Sequence, residues 1–390
     1  MAIATKSIKT GVLIGGSGLI GGAITHYFKT LGEEDVELLA PNSKKLSLRV
    51  ANDIKQYFKK IKPDFIINAA IAAIDSDPLL SLETNYLGAI NLAKTAIELG
   101  IPYIHFSSSA TMPCGLDLGE EDTLPLGAGL SNYAKSKLMA ELTLRQLKET
   151  EGLDYTIIRL AVVYGKHDHK IQGFHRLFFS IVDQALPCML TTPEVRHSYS
   201  NSKKIAPFIH YILANREEFS GQTYNFVDPE PVALAHIILT IRSYLQLGLP
   251  KEIYVPYPVA RVFKSALKWT MKKLSMIGIE ARMPAELMFL ENFYRSQTLS
   301  TAKLATSSYG LRNTETSIFT ELPAMIEYYL TRWEHLNLIS SYNDSFYHPK
   351  TMAEEFMNNP QELIDLIHAN KIDPRNDFCL FPSKDSSQTH

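Results

Sequence analysis

The sequence predicts a doubly wound α/β fold, in which a parallel β-sheet is covered by helices on both faces. Short, continuously apolar runs, typical of strands buried on both faces, recur in the first part of the chain at Gly11–Gly15, Val36–Ala40, Phe65–Ala69, Tyr103–Phe106 and Tyr155–Leu160. Stretches with helical spacing lie between these strands, at Ile20–Leu31, Ile54–Ile61, Thr84–Leu99 and Tyr133–Leu147. Because crossovers between parallel strands are right-handed, the carboxyl ends of the strands meet at one edge of the sheet, where we expect a ligand.

The remainder of the chain has a different pattern, which predicts a smaller, mostly helical C-terminal lobe. After about Tyr164 helical spacing dominates, at Gly173–Ala185, Lys204–Ala214, Ala233–Leu245, Pro258–Met276 and Ile318–His335. One strand-like run, Thr223–Val227, interrupts these helices, and a last helix is expected at Pro360–Ala369. We therefore expect a first domain of residues 1–165, a second lobe of residues 166–340 and a C-terminal extension of residues 341–390.

Charge, cysteine content and hydropathy exclude several classes of protein. The 39 Lys and Arg residues against 41 Asp and Glu leave a net charge of −2, so we expect no nucleic-acid partner, which needs a strongly basic face. The three cysteines are too widely spaced for a disulfide scaffold or a zinc ribbon and fit a reducing compartment. We expect a cytoplasmic protein, because we find no signal peptide and no apolar run near the ~18–20 residues of a membrane span. Lysines flank the histidines of Lys166–Lys170 and oppose a cation, so we expect a loop there and no metal site.

A glycine-rich loop directly after the first strand indicates a binding site for a dinucleotide. Gly15 is expected to make the tight turn, and Gly18 to let the backbone approach a pyrophosphate closely. Gly21 is expected to let the following helix pack against the strand, with the helix N-terminus facing the anion.

The residues after the second strand favour NADP(H) over NAD(H). At this place a carboxylate usually binds the adenosine 2′-hydroxyl, but the strand here runs into Asn42-Ser43-Lys44-Lys45, with Arg49 shortly after. Lysine and arginine attract a 2′-phosphate, whereas a carboxylate repels it. We therefore expect Asn42 and Lys44 to contact the cofactor.

A tyrosine and a lysine at helical spacing, after a serine-rich strand end, indicate acid–base chemistry. Tyr133 and Lys137 are i and i+4, so both side chains leave the same face of the predicted helix. A phenol has an unperturbed pKa near ~10, and a nearby ammonium group and a positively charged nicotinamide lower it. Ser109 follows the fourth strand and is expected to hold the substrate oxygen while Tyr133 exchanges its proton.

These motifs occur in the order and at the intervals of a known family. The glycine triplet, Asn68-Ala69-Ala70, Asn85, the serine-rich strand end and Tyr-x-x-x-Lys together resemble the extended short-chain dehydrogenase/reductases, the NAD(P)-dependent epimerase/dehydratase family. The resemblance covers about the first 165 residues well and continues weakly to about residue 335. It implies a Rossmann-type NAD(P)-binding domain at residues 1–165 and a substrate-binding lobe at residues 166–340.

The resemblance also implies roles for individual residues. Tyr133 would be the general acid/base, Lys137 would bind the ribose and lower the pKa of Tyr133, and Ser109 would bind the reacting oxygen. The loop residues that would line the pyrophosphate are Gly15, Ser17, Gly18, Leu19, Ile20 and Gly21. Below the cofactor ribose and beside the nicotinamide, the family pattern places Asn68, Ala69, Ala70 and Ser107.

The substrate side departs from the family pattern. Val162 stands where several nucleotide-sugar enzymes have asparagine, and Arg196 resembles the substrate-phosphate arginine, although lysine replaces the usual aspartate in the segment that follows. The leading interpretation is an NAD(P)-dependent oxidoreductase or epimerase that acts on a hydroxyl or ketone group of a nucleotide sugar by hydride transfer. Val162, together with Gly248-Leu249-Pro250 before a long apolar helix, favours the alternative of a hydrophobic hydroxy/keto substrate, as in the 3β-hydroxysteroid dehydrogenase branch. A non-catalytic cofactor-sensing protein is the third alternative.

Two surfaces are predicted from helical patterns. The resemblance implies a homodimer that pairs through Thr84–Leu99 and Tyr133–Leu147, with small outward-facing side chains at Ala89, Ala93, Ala96, Ala134 and Leu138. The segment Tyr257–Ser275 carries five positive charges and an apolar stripe that contains Phe263, Leu267, Thr270 and Leu274. The favoured expectation is that this stripe packs onto the second lobe, with the lysines in solvent, and peripheral membrane contact is the alternative.

Overall fold

The computed structural model of the chain describes residues 9–30, 36–74, 76–168, 173–182, 188–189, 191–248, 251–252, 255–276, 290–312, 317–335 and 360–369. The chain divides into two units, Met1–Ile326 and Glu327–His390. The last predicted helix is confirmed at Pro360–His368, while residues 341–359 and 370–390 of the predicted extension lie outside the described residues.

The strands and helices of the described residues alternate in the predicted way through the first domain. The strands are β1 (Lys9–Ile14), β2 (Val36–Leu39), β3 (Phe65–Asn68), β4 (Tyr103–Ser108), β5 (Gly115–Leu118), β6 (Tyr155–Leu160), β7 (Val162–Tyr164), β8 (Cys188–Met189), β9 (Arg196–His197), β10 (Tyr199–Asn201), β11 (Gln222–Asn225), β12 (Val232–Ala233), β13 (Lys251–Glu252) and β14 (Gln297–Leu299). The helices are α1 (Leu19–Thr30), α2 (Ala51–Ile61), α3 (Pro78–Ser81), α4 (Gly88–Leu99), α5 (Asn132–Glu151), α6 (Gly173–Val182), α7 (Ser202–Ala214), α8 (Arg216–Phe219), α9 (Leu234–Tyr244), α10 (Tyr257–Met276), α11 (Ala302–Thr306), α12 (Ile318–His335) and α13 (Pro360–His368). A π-helical segment, Leu82–Leu87, precedes α4, and single 3₁₀ turns occur at Ser109–Thr111 and Leu290–Phe293.

The main sheet has six parallel strands in the order β11-β6-β4-β3-β1-β2. This confirms the predicted doubly wound fold, because the strand order reverses between β1 and β3. The sixth strand, β11, comes from the segment assigned to the second lobe, so the sheet is not limited to residues 1–165. β11 lies beside β6 at the sheet edge, a pairing over about sixty residues of sequence that local periodicity does not reveal.

Both faces of the sheet are buried by helices, which explains why its strands are continuously apolar. Leu13 of β1 packs with Ile24 of α1 and Ile209 of α7 in one core. Its neighbour Val12 points the other way, into a second core with side chains from α2, α4 and α5, namely Ile54, Leu92 and Leu144. The helix α7 therefore covers the first domain's sheet although it lies beyond residue 165.

The lobe after residue 165 contains more β structure than predicted. A small sheet has the order β12-β9-β14-β5, and β5 follows β4 after a single 3₁₀ turn. The side-chain amide of Gln297 in β14 donates to the carbonyls of Ser109, Met112 and Pro113 at 3.0, 3.1 and 3.0 Å. The small sheet thus holds the chain immediately after the predicted catalytic serine.

Two predicted helix surfaces differ from expectation. The five residues assigned to a dimer contact on α4 and α5 are buried inside the chain itself: Ala89, Ala93, Ala96, Ala134 and Leu138. Two of them, Ala93 and Ala96, lie in the core between these helices and the sheet. Of the stripe on α10 that was expected to be packed, Phe263 is 61% exposed, and the adjacent Val262 is 69% exposed, whereas Leu267 is half-buried. Along the described residues, no helix is both long and apolar enough to cross a bilayer.

Candidate active site

The glycine loop between β1 and α1 has the geometry that a dinucleotide phosphate requires. Gly15 adopts a φ of +86°, and a Cβ there would lie 2.6 Å from the backbone of Ala69. A Cβ on Gly21 would lie 2.2 Å from the carbonyl oxygen of Gly15, so only glycine lets α1 begin this close to the loop. By contrast, a Cβ on Gly18 would meet only the Gly15 oxygen at 3.6 Å and otherwise enter open space. The backbone at Gly18 is therefore open to a pyrophosphate, next to the N-terminus of α1.

The side chains of the glycine loop and of the loop after β2 differ in exposure. Ser17 is exposed, and Leu19 and Ile20 are half-buried at the start of α1. Of the residues expected to contact the adenosine, Asn42 uses its side-chain oxygen to accept from the backbone N–H groups of Lys44 and Lys45, both at 3.1 Å. This turn leaves both lysine side chains exposed.

Arg49, the third cation expected to attract a 2′-phosphate, forms an ion pair with another residue. Its Nε lies 2.5 Å from the carboxylate of Glu83 in the π-helical segment. The positive charge available to a 2′-phosphate is therefore that of Lys44 and Lys45.

A buried polar network runs from the end of β3 into the next strand. Ala69 N donates to Ile14 O at 2.9 Å, which fixes the Asn68–Ala70 segment beside the glycine loop. The side chain of Asn68 donates to the hydroxyl of Tyr103 at 2.9 Å and accepts from Ala70 N at 3.2 Å. Tyr103 in turn lies 3.2 Å from His105, whose pKa is held well below its usual value by burial and by the charge of Lys137. His105 is therefore neutral at physiological pH.

Asn85 connects this region to the predicted catalytic helix. Its side-chain oxygen accepts from Ala72 N at 2.8 Å, and its amide donates to Ser136 at 3.2 Å. The hydroxyl of Ser136 donates to the carbonyl of Tyr133 at 2.9 Å. The asparagine thus fixes the loop after β3 to the first turn of α5.

Tyr133 and Lys137 are buried on one face of α5, as the i, i+4 spacing predicts. The Ser131 side chain caps the helix by accepting from Ala134 N at 3.1 Å. The ammonium of Lys137 donates to the carbonyl of Phe106 in β4 at 2.8 Å. Burial lowers the pKa of Lys137 to about 8, against the opposing effect of the Glu141 carboxylate.

The serine that contacts Tyr133 is Ser108. Burial raises the pKa of Tyr133, and a hydrogen bond from the Ser108 side chain opposes that rise. Ser109 is buried in the adjacent 3₁₀ turn, where its carbonyl accepts from Gln297. The two serines are neighbours at the end of β4. The hydroxyl of Ser108 contacts the phenol of Tyr133, and Ser109 is the next residue along the chain.

A buried ion pair below Lys137 was missed by the sequence analysis. Glu141 lies one turn after Lys137 on α5 and accepts from Arg159 of β6 through Nε at 3.1 Å and Nη2 at 2.6 Å. It also accepts from the hydroxyls of Ser107 and Thr111. The Ser107 hydroxyl, expected beside the nicotinamide, is thus bonded to Glu141. The signal that pointed to this pair was an arginine inside the otherwise apolar run Tyr155–Leu160.

The predicted substrate residues lie in more open surroundings. Val162 is half-buried in β7, which pairs with β10, and Arg196 in β9 has an exposed side chain. Lys204, in the segment where the family has aspartate, is buried beside Asp228 at 3.4 Å, and Asp228 also accepts from Tyr164 at 2.6 Å. These contacts stabilise the second lobe, whereas Arg196 remains accessible to a ligand.

Comparisons with known proteins agree with this architecture. A sequence model of the NAD dependent epimerase/dehydratase family matches residues 12–226. A curated relative, GDP-L-colitose synthase of Yersinia pseudotuberculosis, is 25% identical over 224 residues, which are 52% of this chain and 72% of the relative.

Two solved structures share the fold. MlghC, the GDP-mannoheptose C4 reductase of Campylobacter jejuni with NADP bound, has a TM-score of 0.62 at 13% identity and covers 83% of this chain and 98% of its own. The Bordetella bronchiseptica enzyme WbmH, in complex with NAD+, has a TM-score of 0.60 at 16% identity and covers 83% and 99%. Since the family match covers more than half of the sequence, the chain belongs to the NAD-dependent epimerase/dehydratase family and is an NAD(P)-dependent oxidoreductase or epimerase of the extended short-chain dehydrogenase/reductase type.

Proposed function

We propose that the chain is a cytoplasmic, NADP(H)-dependent enzyme that reduces or epimerises a nucleotide sugar at a hydroxyl or ketone carbon. The observation that carries the proposal is the buried cluster at the end of β4, in which Ser108 hydrogen-bonds to Tyr133 and Lys137 donates to the strand. This cluster lies after β4 and the open backbone at Gly18 lies after β1, so both are at the carboxyl end of the main sheet. This shared position supports proton exchange and dinucleotide binding at one rim of the sheet.

In this proposal the protein's own work is proton transfer and positioning. The bound nicotinamide supplies the hydride chemistry. Tyr133 gives its proton to the oxygen of the reduced carbonyl, and in the reverse direction it takes that proton back. Lys137, when charged, stabilises the resulting phenolate, and the Ser108–Ser109 pair holds the substrate oxygen. Ser109 as the oxygen-binding residue rests on the family pattern, and Ser108 on its contact with Tyr133.

The preference for NADP(H) rests on the loop after β2. Asn42 folds this loop into a turn that presents Lys44 and Lys45, and we find no carboxylate in the segment Ala40–Val50. Two ammonium groups favour a 2′-phosphate over a 2′-hydroxyl. Calorimetric titration with NADPH and with NADH measures this directly, and equal affinity for the two would overturn the preference.

A nucleotide sugar is the proposed substrate class because the relative GDP-L-colitose synthase, whose match covers 52% of this chain, is named for a GDP-linked sugar. GDP-L-colitose synthase is a relative by sequence, and a GDP-mannoheptose C4 reductase shares the fold. The exposed Arg196, on the small sheet that continues from the Ser109 turn, provides a cation for a substrate phosphate. The valine at position 162 distinguishes this chain and supports testing hydrophobic ketones in parallel.

The experiment is a cofactor-oxidation screen of the full chain over nucleotide 4-keto sugars and lipid-like ketones, with Tyr133→Phe as the matched control. General acid/base groups contribute about 10²–10⁴-fold, so Tyr133→Phe should lower turnover by that factor or more while NADPH affinity is kept. Full activity in Tyr133→Phe would overturn the proposed chemistry. Turnover of hydrophobic ketones alone would replace the proposed substrate class with the alternative.

We also propose a homodimer, now through different residues from those first expected. Exposed leucines lie at Leu87, directly before α4, and at Leu142 of α5, with exposures of 44% and 43%. The hydroxyls of the neighbouring residues Tyr86 and Thr143 are 3.3 Å apart, so the two helical segments that carry these leucines contact each other. Light scattering should give a dimer for the native chain and a monomer for Leu87→Lys with Leu142→Lys, and a native monomer would overturn the proposal.

A further inference from the structure

The outer face of α10 is an exposed apolar stripe. Val259, Val262, Phe263 and Trp269 are between 58% and 69% exposed. Their spacing of i, i+3, i+4 and i+10 puts them on one side of the helix at 100° per residue, and the small Ala266 lies between them at i+7. Single exposed apolar residues are ordinary, but four large ones along one helix face indicate a surface that contacts another apolar phase.

The same helix is strongly and exclusively basic. Between Tyr257 and Met276 the sequence has five cations and no Asp or Glu: Arg261, Lys264, Lys268, Lys272 and Lys273. The whole chain has a net charge of −2, so this charge is concentrated locally. The ammonium of Lys273 lies 5.6 Å from the ring centre of Trp269, one helical turn earlier on the same side of α10.

A groove of about 350 Å³ lies along the basic side of α10. Its lining is cationic and aromatic with a single carboxylate, and consists of Tyr257, Arg261, Lys264, Leu290, Glu291 and Arg295. Arg295 lies over the ring of Tyr257 at 5.3 Å and pairs with Glu291 at 3.2 Å, so its guanidinium is held in place at the groove. Because Tyr257, Arg261 and Lys264 lie on the side of α10 opposite the apolar stripe, the groove marks the polar side of the helix.

We propose that α10 is a peripheral membrane-binding surface that recognises anionic lipid. The helix lies in the plane of the interface, with Val262, Phe263 and Trp269 at the acyl boundary and the cations against lipid phosphates. We choose a lipid surface over a protein partner because Arg261 and Lys264 lie on the side of α10 opposite the apolar stripe and the helix carries no carboxylate, which is the pattern of helices that lie in anionic interfaces. The inference does not depend on the proposed function.

The test uses the full chain and vesicles of equal parts phosphatidylglycerol and phosphatidylcholine, with vesicles of phosphatidylcholine alone for comparison. We expect co-sedimentation with the anionic vesicles only, weakening as salt is raised, because salt screens charges at the surface. The chain has two tryptophans, and Trp333 is fully buried. A blue shift of the emission on binding should therefore come from Trp269 and should disappear in Trp269→Phe.

Two matched pairs of variants separate this surface from nonspecific attraction. Each cation near an anionic surface contributes about a fivefold change in binding, so Arg261→Glu with Lys273→Glu should weaken binding at least ~25-fold. The same charge change in Lys59→Glu with Lys60→Glu, which are exposed on α2, should have a much smaller effect. Likewise Val262→Ser with Phe263→Ser should remove binding, whereas Leu126→Ser, an equally apolar change at another exposed site, should not. Circular dichroism confirms that each variant is folded.

Three results would overturn the proposal. These are no binding to the anionic vesicles, equal binding to neutral vesicles, and binding that the α10 variants leave unchanged. A fourth contrary result is a change from dimer to monomer in Val262→Ser with Phe263→Ser without vesicle binding by the native chain, because the stripe would then be a contact between two copies.

Discussion

On the cofactor side of the sheet edge, the glycine loop and the Tyr133–Lys137 face of α5 are held by buried backbone and side-chain contacts, whereas on the substrate side Val162 is half-buried and Arg196 is exposed. The first region is defined by where the backbone can pass, as at Gly15 and Gly21. The second is defined by side chains on short strands of a small sheet. Cofactor binding is therefore expected to depend on the backbone path of the fold, whereas substrate choice is expected to depend on a few side chains that can be replaced.

The largest expected effect is on the cofactor side, at the ion pair below Lys137. Glu141→Gln leaves the guanidinium of Arg159 buried without its carboxylate, and breaking such a pair costs about 3–5 kcal/mol. We expect a correspondingly lower free energy of unfolding in urea. Glu98→Gln, whose pairing with Lys55 is at the surface, serves as the control and should change it by less than about 1 kcal/mol. Similar losses in both variants would contradict the claim that the Glu141 pair supports the site.

The next effect distinguishes two adjacent glycines of α1. Gly21→Ala forces a Cβ to within 2.2 Å of the Gly15 oxygen, and such overpacking costs about 1–3 kcal/mol. In Gly22→Ala the nearest atom is 3.9 Å away, so the helix should gain up to about 1 kcal/mol from the better helix former. Thermal unfolding of the two variants measures this contrast. Equal melting temperatures would mean that α1 does not pack onto the loop in the way described.

Features that follow from local sequence patterns are predictable from the sequence, whereas contacts between residues distant in sequence are not. The strands β1–β4 and β6, the tight turn at Gly15, the close packing at Gly21 and the shared helix face of Tyr133 and Lys137 were predicted correctly, because each is a local pattern whose period fixes its geometry. The place of β11 in the main sheet and the pairing of Glu141 with Arg159 were not predicted, since both join residues distant in sequence. The predicted stripe on α10 shares only Phe263 with the exposed one, and periodicity alone does not say which side of a helix is covered.

The pH dependence of reduction reports on Lys137. Its pKa is lowered to about 8 in the folded chain, below the unfolded value of about 10.4, so it loses its proton as the pH rises through about 8. The rate of carbonyl reduction should fall over that range, because an uncharged Lys137 no longer stabilises the phenolate of Tyr133. Since the Glu141 carboxylate raises the pKa of Lys137, Glu141→Gln should move the fall to lower pH.

Linkage gives the sign of the corresponding change in stability. Below about pH 8 Lys137 is charged in both states, and the cost of burying the charge is fully present. Between about pH 8 and 10.4 Lys137 is deprotonated in the folded chain, whereas the unfolded chain still binds the proton. The free energy of unfolding therefore rises with pH over this range. The profile of kcat/KM against pH measures the kinetic effect in the free enzyme. A flat profile from about pH 7 to 9 would contradict the role of Lys137.

The smallest effect is expected on the substrate side. Arg196→Ala removes an exposed side chain, so the free energy of unfolding should stay within about 0.5 kcal/mol of the native value. If Arg196 binds a substrate phosphate, KM for the nucleotide sugar should rise while kcat and NADPH affinity are unchanged, which steady-state kinetics and calorimetry separate. A fall in NADPH affinity would erase the distinction between the two regions.

The central claim is that the loop after β1 holds a dinucleotide against the open backbone at Gly18. Calorimetric titration of NADPH into the native chain and into Gly18→Val tests it most directly, because the two added methyl groups occupy the space a pyrophosphate needs and meet little else. We expect that the Gly18→Val protein is folded, as measured by circular dichroism, and that it has lost detectable NADPH binding. Native affinity for NADPH in a folded Gly18→Val protein would contradict it.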